Sequence, residues 1–397
     1  MIQYGVAMKK VLIITQYFYP DVTAAAYRMK ELYEYLNKKN CEVCVVTTSP
    51  HKTRGNWEYK KDASIRRIKI GSKRHFFQYA EFLFKASFYC IRAKKFDRVI
   101  VTSPPFTVFL LVYLLPRKTK VILDIRDIWP DSAIGRPFIH EGGPLFTLLK
   151  KYERSMYKRA DRMTCVSAPM KSYLVGASGK ENVAVVYNGV REDDVEKFKR
   201  LEERRWDKKS PLKLFYFGNI GYYQGIDILL KAVKREVADR VEVHIIGGGV
   251  LKGKYKEEYG SLKSVHFHNP MPREALLPYV RANSDALFIN IAKSAVFERT
   301  IPSKLFDYLL LRKPTVSGIL GEGKEILRKS GCVVEFKQDC VTSLVNGLYT
   351  LIKQYDFLAA QAAEKNLAVV SRFTREIMSE KIYNIIDDRD LAGHEPL

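Results

Sequence analysis

No stretch of this 397-residue sequence reaches the ~20 consecutive apolar residues that a membrane-crossing helix needs. The longest run, FTVFLLVYLL (106–115), reads instead as a buried helix opened by Pro104-Pro105. The opening MIQYGVAMKK lacks the apolar run and cleavage site of a secretory signal, so a reducing cytoplasm is the expected compartment. Cysteine is sparse, with six residues. Cys41-Glu-Val-Cys44 has metal-like spacing but no second pair or nearby His to complete four ligands, and it reads as core thiols on a strand. Low-complexity tracts and short-period repeats are missing, which excludes solenoids and disordered tails. A G-x-G-x-x-G fingerprint is missing from the first strand-to-helix turn, TQYFYPDVTAAA, which argues against a dinucleotide dehydrogenase. One further absence raises a question. GNIGYYQG (218–225) reads as a phosphate-cradling turn between strand and helix, yet no Lys or Arg occurs between Tyr216 and Leu230.

What is present points to an α/β protein of two domains. The length exceeds one ordinary core, and an apolar content of 47% is ample for two. VLIIT, then the amphipathic AAYRMKELYEYLNKKN, then EVCVVTT form a β-loop-α-β unit, followed by strands in DRVIVTS (97–103), KVILDIRD (120–127), RMTCVS (162–167) and VAVVYNGV (183–190). Residues 1–190 therefore read as one doubly wound domain. Residues 191–210 are highly charged and read as a linker. The pattern then restarts over 211–371 with KLFYFG, VEVHIIGGG, VHFHN, ALFINIA and PTVSG as strands. Two Rossmann-like domains in tandem, facing across a cleft, are expected, with the last helix (372–397) packing back on the first.

Charge is uneven. Residues 1–190 hold 33 Lys and Arg against 15 Asp and Glu, whereas the remainder holds 34 against 29. An N-terminal half at +18 favours an anionic partner, whether nucleic acid, anionic lipid or a phosphorylated substrate. KRHFFQYAEFLFKASFYCIRAKK (73–95) places Arg74, Gln78, Glu81, Lys85 and Arg92 in one narrow helical stripe, with most other positions apolar and seven of them Phe or Tyr. Such a helix suits burial or an interfacial position against anionic lipid.

Four further stretches carry chemistry. DIRDIWPDS (124–132) lies at a strand's C-terminal end, where open α/β sheets place ligands, so Asp127 is a candidate to orient an acceptor hydroxyl or accept its proton. YNGV (187–190) is an Asn-Gly turn closing the first domain. In FERTIPSKLFDYLLLRKP (297–314), Pro302 and Ser303 open a helix whose first turn contains Lys304, a cation opposed to the macrodipole unless an anion sits there too. Lys304, with Arg299, would then supply the charge that the glycine loop lacks, while Asn219 and Gln224 form hydrogen bonds. Asp307 shares the face of Lys304 and is placed to hold sugar hydroxyls. Two motifs read as bland. Asp388-Arg-Asp390 lies at a helix end and reads as surface charge; His266 and His268 alternate along a strand without ligand partners.

The order of these features resembles the family-4 retaining glycosyltransferases of the GT-B fold, in particular the bacterial branch of O-antigen, capsule and exopolysaccharide synthesis. The likeness rests on DIWPDS, YNGV, YFGNIGYYQG, HIIGGG and PSKLFDYLLLRKP. It implies an acceptor-binding N-terminal domain and a C-terminal domain that binds the nucleotide sugar, with UDP the expected nucleotide. It further implies that Gly218, Gly221 and Gly247 approach the diphosphate, with Asn219 and Gln224 beside it. Lys304 would pair with the diphosphate, Asp307 would hold the ribose, and backbone near Asn269–Met271 would read the base, with Pro302, Ser303 and Leu305 also in the nucleotide-sugar site. Glu298 and Arg299 would face the donor sugar or phosphate. Thr23, Ala24, Asp127, Trp129 and Asn188 would lie on the acceptor side. No metal or cofactor is implied, and the partners are a lipid-linked saccharide and an anionic membrane surface, with the protein peripheral on its cytoplasmic side. The sequence departs from the family in having Arg299 where the first Glu of a Glu-x7-Glu pair is expected, and Asp307 for the second. A nucleic-acid-binding protein and a GT-B nucleotide-sugar epimerase remain the alternative readings, although no RNA or DNA motif is present.

Overall fold

The computed structural model describes residues 8–21, 23–50, 62–72, 75–133, 139–202 and 204–389. It divides into two compact units. The first comprises residues 1–188 with 375–395, and the second comprises 189–374 with 396–397.

The first unit is a seven-stranded sheet in the order β3-β2-β1-β4-β5-β6-β7, every pair parallel. Its strands are β1 (Lys10–Ile14), β2 (Glu42–Thr48), β3 (Ile65–Ile68), β4 (Arg98–Thr102), β5 (Lys120–Ile125), β6 (Arg162–Cys165) and β7 (Val183–Val185). The inner strands are buried on both faces, which is why VLII and VIV are continuous apolar runs without alternation. The edge strand β3 (IRRI) has no such run, and the sequence reading did not find it. The Arg375–Ile386 helix packs on the Ala24–Lys38 helix, with Arg375 3.5 Å from Glu31 and Lys9 paired to Asp387. Asp388 pairs with Arg98, so the described half of the Asp388-Arg-Asp390 motif is surface charge; Asp390 lies outside the described residues.

The second unit repeats the plan with six parallel strands in the order β10-β9-β8-β11-β12-β13. They are β8 (Leu212–Phe217), β9 (Val241–Ile246), β10 (Val265–His268), β11 (Ala286–Ile289), β12 (Thr315–Ser317) and β13 (Val333–Glu335). In both sheets the order reverses beside the first strand, between β1 and β4 and between β8 and β11. A doubly wound fold has its ligand crevice at that point. The charged stretch read as a linker is ordered. It contains the Glu192–Arg200 helix, whose Val195 and Phe198 are buried and whose Asp194 pairs with Arg273 at 2.6 Å. The run 106–115 forms a 3₁₀ helix (Phe106–Leu114) with Val108, Phe109 and Val112 buried but Leu110, Tyr113 and Leu114 exposed.

One charged network organises the first sheet's C-terminal edge. Asp124, at 1% exposure, accepts from Arg28 Nη2 (2.9 Å), Thr102 (2.8 Å) and Thr164 (2.7 Å). Burial alone would raise its carboxyl pKa, but Arg28 and Arg126 hold it below the ordinary value. Arg28 also donates to Tyr187 O at 2.8 Å, so the network joins strands β4, β5 and β6 to the YNGV turn. Replacing Asp124 by Ala strands Arg28 among buried groups, and breaking a buried pair in this way costs about 3–5 kcal/mol. Chemical denaturation should show that loss; a change below about 1 kcal/mol would mean that the network is solvated.

Candidate functional site

The glycine loop and the Lys304 helix meet at the switch point of the second sheet. Gly218 leaves β8 at φ +127°, and a Cβ there would stand 3.0 Å from Lys304 Nζ. That proximity, across 86 positions of sequence, is what the PSK motif was expected to provide. Lys304 opens the Lys304–Leu311 helix, and its Nζ donates to Tyr216 Oη at 2.8 Å while lying 4.2 Å from that ring's centroid. Among the described residues no carboxylate pairs with it. Burial pulls its ammonium down to about 7. A buried amine with a lowered pKa and no acidic partner among the described residues is a feature that functional sites concentrate.

The loop's backbone donors are less free than its composition suggests. Gly218 N–H donates to Ile246 O (2.9 Å), Ile220 N–H to Gly248 O (2.8 Å), and Gly221 N–H to Gln224 Oε1 (3.1 Å). Asn219 Nδ2 also donates to Gln224 Oε1, at 3.2 Å. Asn219 and Gln224 do form hydrogen bonds, as expected, but with the loop itself. Gly247 is required for a reason other than ligand approach: a Cβ there would fall 1.9 Å from Gly218 O, so the two loops are pressed together. With these N–H groups engaged, fewer of the loop's backbone donors are open to a ligand than its glycines suggest.

The remaining predicted donor-side residues divide. Asp307 is half-buried, and Arg273 donates to its Oδ1 twice, at 2.7 and 3.2 Å, while also reaching Asp194 Oδ2 at 2.6 Å. Burial opposes the charge of Arg273, but Asp307 and Asp194 more than restore it, raising its pKa. Both bonds fall on Oδ1. Although Asp307 shares the helix face of Lys304, its ion pair is with Arg273. Leu305 is corrected outright: its side chain is wholly in the core and its N–H donates to Pro302 O at 2.9 Å, so it has a packing role. Glu298 is exposed at the end of the short Ala295–Glu298 helix, with Arg299 following as its C-cap. Ser303 precedes Lys304 as N-cap without a side-chain cap bond. Met271 follows β10 on a half-buried loop.

In the first unit, Asp127 is half-buried just past β5. Burial raises its carboxyl pKa, with Arg126 opposing. Asn188 Oδ1 accepts from Arg126 Nη2 at 2.9 Å. Thr23 caps the Ala24–Lys38 helix, its Oγ1 accepting from Ala26 N–H at 3.1 Å, so that side chain has a local structural task, while Ala24 is exposed. Trp129 stacks on Phe106 with centroids 6.1 Å apart.

Sequence reasoning missed Tyr216, Arg273, Asp194 and Asn290. Asn290 ends β11, is 3% exposed, and donates to Gly225 O at 3.2 Å. A lone polar residue closing the buried strand ALFI was the available signal for it; the others become visible only when distant segments meet. A second correction concerns His266 and His268. Their partners lie on β9, where Glu242 and His244 sit beside them in register.

Comparison with known proteins follows the same two-part plan. Residues 23–189 match the family described as Glycosyl transferase 4-like domain, and residues 211–354 the one described as Glycosyl transferases group 1. WcaI of Escherichia coli (strain K12), whose name refers to colanic acid biosynthesis by a glycosyl transferase, is 22% identical over 398 residues, covering 90% of this chain and 96% of its own. Two solved structures share the fold. Anabaena HepE, solved in complex with UDP and glucose, is 13% identical with a TM-score of 0.67, covering 96% of this chain and all of that one. WaaG, a glycosyltransferase involved in lipopolysaccharide biosynthesis, is 14% identical with a TM-score of 0.67, covering 95% and 99%. Two Rossmann-like sheets, matched in order by two glycosyl transferase domains, make this chain a member of the family-4 glycosyltransferases of the GT-B fold.

Proposed function

We propose that this glycosyltransferase moves a sugar from UDP to a hydroxyl of a lipid-linked saccharide, with retention of anomeric configuration and without a metal ion, in bacterial surface polysaccharide synthesis at the cytoplasmic face of the membrane. The observation that carries the reading is Lys304: a desolvated amine without an acidic partner among the described residues, beside Gly218, where a parallel α/β sheet binds its ligand. Relatives that bind UDP and UDP-glucose, and relatives named for colanic acid and lipopolysaccharide, support the choice of nucleotide and pathway class.

In this scheme the bond between the anomeric carbon and the diphosphate breaks with its electron pair on the diphosphate oxygen. Lys304, protonated in the complex, stabilises that charge as it develops. Asp307 Oδ2 takes a ribose hydroxyl, and Glu298 and Arg299 face the sugar. Asp127 orients the acceptor hydroxyl, which attacks from the face the diphosphate leaves and passes its proton to the departing oxygen.

The membrane part of the reading rests on the His75–Ile91 helix, whose three stripes have three fates. Phe82, Ala86 and Cys90 enter the core. Gln78, Glu81 and Lys85 hold the 69–72 loop through bonds to Ser72 O, the Gly71 and Ser72 amides, and Lys69 O. Phe77, Phe84, Phe88 and Ile91 are exposed, at 53, 69, 54 and 59%. Beside them a hollow of about 390 Å³ is lined by Arg67, Lys69, Lys85 and Arg92 with Phe88 and Tyr89. Aromatics next to a basic hollow fit the interface of an anionic bilayer. Arg74, placed in the polar stripe from sequence, lies outside the described residues. No described helix is long and apolar enough to cross a membrane.

Three outcomes are expected. In calorimetry with EDTA present, UDP binds the wild type, and Lys304→Ala weakens it by at least ~1.5 kcal/mol, roughly ten-fold. Equal affinities would reduce Lys304 to a packing partner of Tyr216. The second concerns pH. Free Lys304 titrates near 7 instead of 10.5. Between those values the unfolded chain holds a proton that the folded chain has lost, so Lys304's contribution to stability rises with pH across that window. A bound diphosphate reverses the shift, so UDP binding at pH 8 takes up a proton. Titrations in Tris and HEPES should reveal the uptake, and Lys304→Met should abolish it; no uptake by the wild type contradicts the assigned role. Third, Phe84→Ser with Phe88→Ser should cut sedimentation with phosphatidylglycerol vesicles several-fold while leaving UDP affinity unchanged. Equal sedimentation would remove the helix from the membrane reading.

A further inference from the structure

On the outer strands of the second sheet, Glu242 and His244 of β9 and His266 and His268 of β10 share one face. The register pairs His266 directly with His244, and His244 in turn with Phe215 of β8, so three rings stack in a row across the sheet. His244 Nε2 and His266 Nε2 each lie 3.0 Å from Glu242 Oε1. Neither nitrogen is oriented for a hydrogen bond to that oxygen, and both are screened from solvent without a partner. Leaving such atoms unsatisfied is costly unless something else occupies the space between them. Among the described residues this is the one set of three His, Cys, Asp or Glu side chains whose ligand atoms converge, all within 4.8 Å of one another.

We propose that Glu242, His244 and His266 bind a divalent transition-metal ion, Zn²⁺ by its donor set, at this sheet edge. Two nitrogens and a carboxylate oxygen are ordinary zinc donors. Bonds of about 2.0–2.2 Å in a tetrahedron separate neighbouring donors by roughly 3.3–3.6 Å; the two Glu242–His spacings are 3.0 Å and all three donors lie within 4.8 Å, so a small side-chain adjustment brings them to an ion, with a water completing the four. The tautomers agree. A metal on His244 Nε2 leaves the proton on Nδ1, and Nδ1 lies 3.0 Å from His268 Nε2, which can accept it. That is the outer bond which orients a ligating imidazole. The ion would staple β10, the half-exposed last strand of the sheet, to β9. Its role is structural or regulatory and does not depend on the glycosyl-transfer reading.

The test uses the full chain without a histidine tag, stripped with chelator, and Zn²⁺ alone as the probe. One Zn²⁺ per chain is expected by competition titration and elemental analysis. Glu242→Gln should weaken binding at least ten-fold. His266→Phe, which keeps the ring stack and removes the nitrogen, should do the same while the protein remains folded by circular dichroism. Independently of any variant, Co²⁺ added to the wild type should give the intense visible bands of a tetrahedral site, displaced by Zn²⁺. Absence of stoichiometric Zn²⁺ binding, unchanged affinity in His266→Phe, or a Co²⁺ spectrum of octahedral type would each overturn the proposal.

Discussion

A positive charge that no carboxylate among the described residues balances is the constraint around which the second domain's glycine loop is arranged. Lys304 sits at a helix start, where the macrodipole already disfavours a cation, and its ammonium is withdrawn from water against a phenol. Such an arrangement costs stability in the free protein, and it persists because its surroundings leave no room to rearrange. Tyr216 is itself fixed by donating to Asn219 O at 2.5 Å, and Gly218, at a φ of +127° that favours glycine, carries the backbone close past the amine. The Gly247–Gly249 segment presses on the same loop from β9. Strain and desolvation accumulated at one point, at the reversal of strand order, are how a fold marks its binding site.

The first domain meets a buried charge in the opposite way. Asp124 is surrounded by donors from the two neighbouring strands and a helix, so its negative charge is answered inside the protein. Nothing is left over for a ligand, and its place is structural: it fixes the strand end from which Asp127 and Trp129 project. The DIRD stretch thus contains two acids three positions apart, Asp124 and Asp127, with different surroundings. One is saturated by hydrogen bonds. The other is half-buried with its pKa raised.

The two-sheet plan was legible because parallel strands buried on both faces leave apolar runs that do not depend on their neighbours, as in VLII, VILDI and ALFI. Edge strands β3 and β13 left no such trace, since IRRI and VVE have one face in solvent. At the site, Gly218, Lys304 and Asp307 could be named from one dimension because helix starts and glycine turns have local signatures. Their partners could not. Tyr216 meets Lys304, Arg273 bridges Asp194 to Asp307, and His266 meets His244 and Glu242, all through strand order or register, which no periodicity encodes. The loop's N–H groups illustrate the same limit: its glycines announce available donors, but only the adjoining β9 loop reveals that several are occupied.

The exposed row of Phe77, Phe84, Phe88 and Ile91 has a consequence for handling the protein. Phe84 and Phe88 already touch edge to face, with centroids 5.7 Å apart, and offer a flat aromatic ridge to whatever approaches. In water at high protein concentration, the nearest apolar surface is the same ridge on another copy. A large net positive charge keeps copies apart at low ionic strength, but salt screens that repulsion over about 10 Å at 0.1 M. Solubility should therefore fall as salt is raised, the reverse of the usual remedy for a basic protein, and a mild detergent should restore it.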